Sequence, residues 1–133
     1  MSTAVITQRK SVMDCIKEIE VAWTAGTDGS VDNIVVEGSK FLFLHKVVTN
    51  PGSRAPADNY DIALLDEDGL DILSSAGDNR DTANAEAIIP AQITPPIGKT
   101  NLTLTISNVV TDRGEGVVRL FLSPYPCAVV AAA

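Results

Sequence analysis

Histidine, cysteine and aromatic side chains are scarce in this chain, and each scarcity removes a class of chemistry. One histidine, His45, and two cysteines, Cys15 and Cys127, are the whole stock of imidazole and thiol ligands in 133 residues. Neither cysteine belongs to a C-x-x-C or a Cys/His cluster, so a zinc site is close to excluded. The two cysteines stand near opposite ends of the sequence. A bridge would need their Cα atoms within about 7 Å, and two buried thiols are the expectation. Aromatics make up 5% of the residues, thin for stacking sugar rings or single-stranded bases, so Trp23 is expected in the core. Positive charge is short as well: 10 Lys plus Arg against 17 Asp plus Glu leave a net −7, which offers no footprint to a polyanion. No nucleic acid partner is expected. No segment approaches the ~18 to 20 apolar residues that cross a bilayer, and Met1 to Lys10 lacks the apolar run of a secretory signal. The expectation is a soluble product with no membrane partner and no export by that route.

What is present is enough apolar sequence to fold. Hydrophobic residues are 45% and charged residues 20%, too apolar for a disordered chain. A domain of this size buries roughly two thirds of its unfolded surface and needs no disulfide or metal staple. Val, Ile and Thr number 14, 11 and 11, and β-branched side chains favour a pleated, half-buried backbone. Gly, Pro, Asn and Asp recur at intervals of roughly ten residues, the spacing of a sandwich or barrel of short strands.

Read along the chain, Ser11 to Trp23 has both helical spacing (Val12, Ile16, Ile19) and period-two alternation (Met13, Cys15, Ile19, Val21, Trp23). Strand is favoured, because Val21 to Thr24 is β-rich and Gly26-Thr27-Asp28-Gly29-Ser30 supplies a turn. Val31 to Glu37 reads as a strand ended at Gly38. Lys40 to Thr49 reads as a strand buried on much of both faces, closed by Asn50-Pro51-Gly52. Tyr60 to Asp66 and Leu70 to Leu73 read as a hairpin around Glu67-Asp68-Gly69, with Gly69 taking the left-handed position and Tyr60, Ile62 and Leu64 sharing a face. Glu86 to Ile93, Leu102 to Val110 and Val117 to Leu122 complete the set, with Leu102, Leu104 and Ile106 on one side. The fold class is therefore all-β: a two-sheet antiparallel sandwich, jelly-roll or Greek-key like, of eight or nine short strands. Residues 1–12 are an N-terminal arm or first strand, 13–124 the sandwich, and 125–133 a C-terminal tail.

The candidate chemistry is sparse. Asp58, Asp61, Asp66, Glu67, Asp68, Asp71, Asp78 and Asp81 fall close together with only Arg80 to offset them. Calcium is conceivable there, but Gly69 is at the wrong offset for an EF-hand loop and no twelfth-position Glu follows. A solvated hairpin tip is the stronger reading. An Asp-pair hydrolase built on Asp66 and Asp68 would need carboxyls facing across a cleft. His45 has no Gly-x-Ser-x-Gly elbow or catalytic Cys signature near it and reads as a structural histidine. Gly114 and Gly116 lack the helix start of a phosphate loop and read as a turn. No catalytic, cofactor-binding or metal residues are assigned, and the chain is expected to be no enzyme. The apolar segment after Pro126 reads either as a contact with a neighbour or as a frayed end.

Three passages together have a familiar character: Val21-Ala22-Trp23 with Asp28-Gly29-Ser30-Val31; Val48-Thr49-Asn50-Pro51-Gly52 running through Pro56 to Asn59-Tyr60-Asp61-Ile62-Ala63-Leu64-Leu65-Asp66; and Gly69-Leu70-Asp71-Ile72-Leu73 with Asn79-Arg80. They resemble small virion structural proteins of tailed bacteriophages, over Val21 to Phe121. The resemblance implies a capsid cement or decoration protein that binds the major capsid protein on the outer shell as a homo-oligomer, a trimer favoured. It also implies assembly in the host cytoplasm and no cofactor. Small neck or tail components, and a receptor- or glycan-binding β-sandwich module, stay open beside it. Thr3 to Gln8, next to Arg9-Lys10, is a stretch able to add a strand to a neighbour's sheet.

Overall fold

In the computed structural model, residues 1–10, 16–89 and 99–124 are described. The expectations for Met13, Cys15, Cys127, the far end of the Glu86 to Ile93 strand and the tail fall, wholly or in part, outside them. Eight strands form: β1 (Thr3–Lys10), β2 (Lys17–Thr24), β3 (Ile34–Val35), β4 (Phe43–Pro51), β5 (Asp61–Leu65), β6 (Glu86–Ile88), β7 (Thr103–Ser107) and β8 (Glu115–Ser123). No helix occurs among the described residues. The strands make two antiparallel sheets, one of order β1-β2-β8-β4-β6 and one of order β3-β7-β5. From β2 onward each strand lies in the sheet opposite to the one before it, the alternation of a jelly roll. Among the described residues the smaller sheet has three strands, and the turns of residues 71–80 run along the outer edge of β5.

The cross-strand registers line up inward-facing rows across the larger sheet. Ile19, Leu120, Val47 and Ile88 form one row, and Val21, Val118 and Thr49 another. All seven are buried. Ile34, Ile62, Leu64, Leu104 and Ile106 face them from the smaller sheet, and Leu73, Leu102 and Val109 close the ends. Trp23 sits in the next row, opposite Gly116. A Cβ at Gly116 would come within 2.8 Å of the indole Cζ2, so this glycine lies within β8 to make room for a ring, where a turn was expected. Tyr60 packs beside Trp23, ring centroids 6.0 Å apart; Trp23 Nε1 is buried with no hydrogen-bond partner, and the buried Tyr60 hydroxyl has the Thr49 hydroxyl as its polar side-chain neighbour for a weak hydrogen bond.

Several expected boundaries move. Residues 31–37 contribute only the two-residue β3. Phe41 takes a left-handed φ of 64° and is exposed, so β4 starts at Phe43, and it buries one face: Leu44, Val47 and Thr49 point in. The register shifts between Leu44 and Lys46, leaving His45 as the extra residue of a β-bulge. The return arm of the predicted hairpin is the largest change. Gly69 does take a left-handed φ of 78°, but beyond it only the Leu65–Asp71 bridge forms. The Asp71 carboxylate accepts from Leu64 N–H, Leu73 N–H and Ser75 N–H, and that local bonding draws residues 71–77 into successive turns.

Gly116→Ala is expected to cost roughly 1–3 kcal/mol by overpacking Trp23, lowering the thermal midpoint and shifting the tryptophan emission. Tyr60→Phe removes a buried hydroxyl that is bonded weakly at most and is expected to change stability by no more than about 1 kcal/mol. A loss of more than that in denaturant titration would show that the hydroxyl is strongly bonded.

Candidate docking surface

The acidic stretch is turn chemistry. Asp66 Oδ1 accepts from Asp68 N–H at 2.9 Å and Leu70 N–H at 3.0 Å, tying the tip of the loop. Asp61 holds Asn79 N–H and the Asn108 amide. Asp58 accepts from Thr82 N–H, and Asp81 accepts from Ala83 N–H, Asn84 N–H and the Asn84 amide. Arg80, the one cation of the stretch, donates to Ala76 and Asp78 carbonyls and stands 3.5 Å from Glu86. Asp66 and Asp68 do not face each other across a cleft: the first is engaged by backbone and the second is exposed. Among the described residues no group of three or more His, Cys, Asp or Glu could hold a metal ion.

His45 Nε2 lies 2.5 Å from Ser123 Oγ. The bulge turns the imidazole toward the end of β8, where the contact joins two neighbouring strands. Gly114 is buried, and its carbonyl accepts from Ala25 N–H. Around it Arg113 N–H donates to Gly26, Glu115 N–H to Arg54 and Gly52 N–H to Glu115, so three loops are laced together at this end of the sandwich.

The outer face of the larger sheet is the broadest regular surface. Registers place Val5, Ala22, Val117 and Asn50 in one row; Thr7, Glu20, Arg119, Val48 and Ala87 in the next; and Arg9, Glu18, Phe121 and Lys46 in a third. Charges are interleaved with apolar groups. Arg9 lies 2.6 Å from Glu18 and 3.5 Å from Glu20, Arg119 3.5 Å from Glu20, and Lys46 Nζ 5.5 Å from the centre of the Phe121 ring. This ladder was invisible in the sequence, because it needs the registers of three strands, two of them from opposite ends of the chain. Five charged side chains here, three positive and two negative, nearly balance, whereas the stretch from Asp58 to Asp81 carries eight acids and one base. The acidic side of the protein is therefore the edge of the smaller sheet.

Strand β1 closes this face as a fixed element. All eight of its residues pair with β2 without a shift. Ser2 Oγ bonds Asp32 at 3.1 Å and accepts from Asp32 N–H at 2.8 Å, and Gln8 Nε2 donates to Glu37 O at 3.0 Å. The segment expected as an arm or first strand is thus tied across the sandwich to the loops flanking β3.

No family model matches this chain, and no curated protein matches it. A solved structure described as "Cyanophage Pam1 capsid asymmetric unit" is similar, with 13% identity, a TM-score of 0.47, and coverage of 90% of this chain and 83% of that one. A likeness that loose carries no role with it.

Two open depressions lie elsewhere among the described residues. One of about 400 Å³ is lined by Asp28, Val31, Asn108 and Val110 among others, and one of about 220 Å³ lies between Ser2, Ile6 and Asp32. Val110 sits beside the first, exposed and with a left-handed φ of 62°, its loop closed by a bond from Thr111 N–H to Val109 O.

Three carboxylates are held below the usual range: Asp28 by the Ser30 hydroxyl, Asp81 by Ala83 N–H, and Glu115 by the Ser53 hydroxyl and then Arg54 N–H. A carboxylate depressed in the folded state stabilises it at pH values above the unfolded pKa, about 4, and that contribution is lost as pH falls through the folded value. The thermal midpoint is expected to be flat from neutral pH to about 5 and to fall below that. Asp81→Asn with Glu115→Gln should make the acid limb shallower; equal slopes in wild type and variant would refute the assignment.

Proposed function

We propose that this chain is a non-enzymatic virion structural protein, a cement or decoration module that binds the outer surface of a phage capsid through the outer face of its five-stranded sheet. The sequence resemblance suggests the class. The observation that carries the mode is that face: a regular, nearly charge-balanced surface on which Phe121, Val48 and Val117 are partly exposed among paired ions, the mixture a reversible protein interface uses. Of the two carboxylates that a hydrolase would need, Asp66 is engaged by turn N–H groups and Asp68 stands exposed at the loop tip with no cleft between them, which favours binding over catalysis. A glycan-binding reading has less support, because Trp23 and Tyr60 are in the core and Phe41, 60% exposed, is the one aromatic ring in the exposed class among the described residues.

Stabilisation on this reading is mass action. Many copies bind the assembled shell and not its separated subunits, so each occupied site adds free energy to the assembled state. Purified protein mixed with shells assembled without it is expected to co-sediment to saturation and raise their disruption temperature. Phe121→Ser, on the same face, should weaken binding at least about tenfold while leaving the circular dichroism spectrum intact. Absence of co-sedimentation, or capture by polysaccharide instead, would defeat the proposal.

A further inference from the structure

The two sheets have four edges, and three of them are protected. β3 is two residues long and β6 three, too short to template a strand. β5 is covered: Ile62 N–H donates to Gly77 O, Ile72 N–H to Leu64 O, and Tyr60 and Arg80 bridge. β1 is different. It has eight residues with no proline and no bulge, about 27 Å of ladder, and no described residue pairs with its outer side. Folded proteins normally blunt such an edge with charge, a kink or a cover. Here charge is confined to Arg9-Lys10 at one end, and Arg9 is already matched by Glu18 and Glu20.

We propose that this edge pairs with the same edge of a second copy, antiparallel about a two-fold axis, joining two five-stranded sheets into one of ten. Symmetry favours this occupant. A closed ring such as the expected trimer needs a second, different edge to receive β1, and β6 offers three residues; isologous pairing uses the full length of β1 on both copies. Register follows from the faces, because directly opposed residues must lie on the same side of the sheet. With Ile6 on the axis, Val5 meets Thr7 of the second copy, Ala4 meets Gln8, and Thr3 meets Arg9. No like charges oppose each other, and the basic end of one strand lies against the end of the other where Ser2 is held by Asp32. The tethering of β1 through Ser2 and Gln8 means that little order is lost on pairing. An edge contact is smaller than the ~800 Å² per partner of a standard complex, so the dimer is reversible. It stands whether or not the protein binds a shell.

Sedimentation equilibrium of the full chain from about 10 μM to about 1 mM is expected to show a monomer–dimer equilibrium. Val5→Lys with Thr7→Lys sets lysines opposite lysines twice across the axis and should raise the dissociation constant about tenfold. Val5→Glu with Thr7→Lys sets opposite charges there and should restore or tighten pairing in a salt-sensitive way. Hydrogen exchange of wild type should show protection within Thr3–Arg9 that rises with concentration, a readout independent of how the variants fold. A monomer at the highest concentration, a trimer, a dimer indifferent to the lysine pair, or exchange in β1 independent of concentration would each overturn the proposal.

Discussion

Two sheets without a helix must cover each other, and here five strands face three. That mismatch governs the molecule. The central rows, from Ile19 and Val21 through Val118 and Leu120 to Val47, find Ile62, Leu64, Leu104 and Ile106 opposite them and are dry. Toward β1 the covering layer has only the two residues of β3, and the inward side of the sheet turns polar in step: Ile6 is half-buried and Gln8 reaches the Glu37 carbonyl, while Lys17 Nζ donates to the Gly38 carbonyl at 3.0 Å. Loops do the remaining work, with Leu73, Leu102 and Val109 plugging the ends. Trp23 fits this arrangement because β8 gives up a side chain at Gly116, and Tyr60 packs beside the indole.

The same arrangement explains the acidity. The three-stranded sheet must still satisfy the outer edge of β5 and the turns that run beside it. Carboxylates do that economically, since one aspartate accepts two or three backbone N–H groups at once. Asp66, Asp71 and Asp81 take this role, and Asp58 and Asp61 each hold one backbone N–H. The net charge of the chain is thereby placed along the smaller sheet, and the broad face of the larger one is left close to neutral. Surfaces of these two kinds suit different neighbours: a strongly acidic side keeps copies soluble and apart, whereas a balanced, partly apolar face and an open backbone edge can be brought against another protein without a large electrostatic penalty.

Much of the architecture could be read from periodicity. The alternation of Ile19, Val21 and Trp23, of Tyr60, Ile62 and Leu64, and of Leu102, Leu104 and Ile106 correctly marked the buried side of each segment, the run Val117–Leu122 marked a strand, and Gly69 marked a tight turn. Misreadings came where a local bond competes with the sheet. Asp71 draws the expected strand Leu70–Leu73 into turns, Phe41 leaves the extended region, and His45 occupies a bulge that a continuous apolar run conceals. Gly116 was taken for turn chemistry because nothing beside it in the chain announces the indole it accommodates.

By itself, then, the order of residues determined the secondary-structure class, the inward sides of β2, β5 and β7, and the absence of any recognisable catalytic motif; these rest on contacts between near neighbours and on a period of two. Which strands pair, which edge is left open, and which charges meet were decided only by closure of the two layers. Arg9, Glu20 and Arg119 become neighbours because β1, β2 and β8 align, and pairing between strands near opposite ends of the chain is selected by the packing of the whole core, which no local pattern encodes.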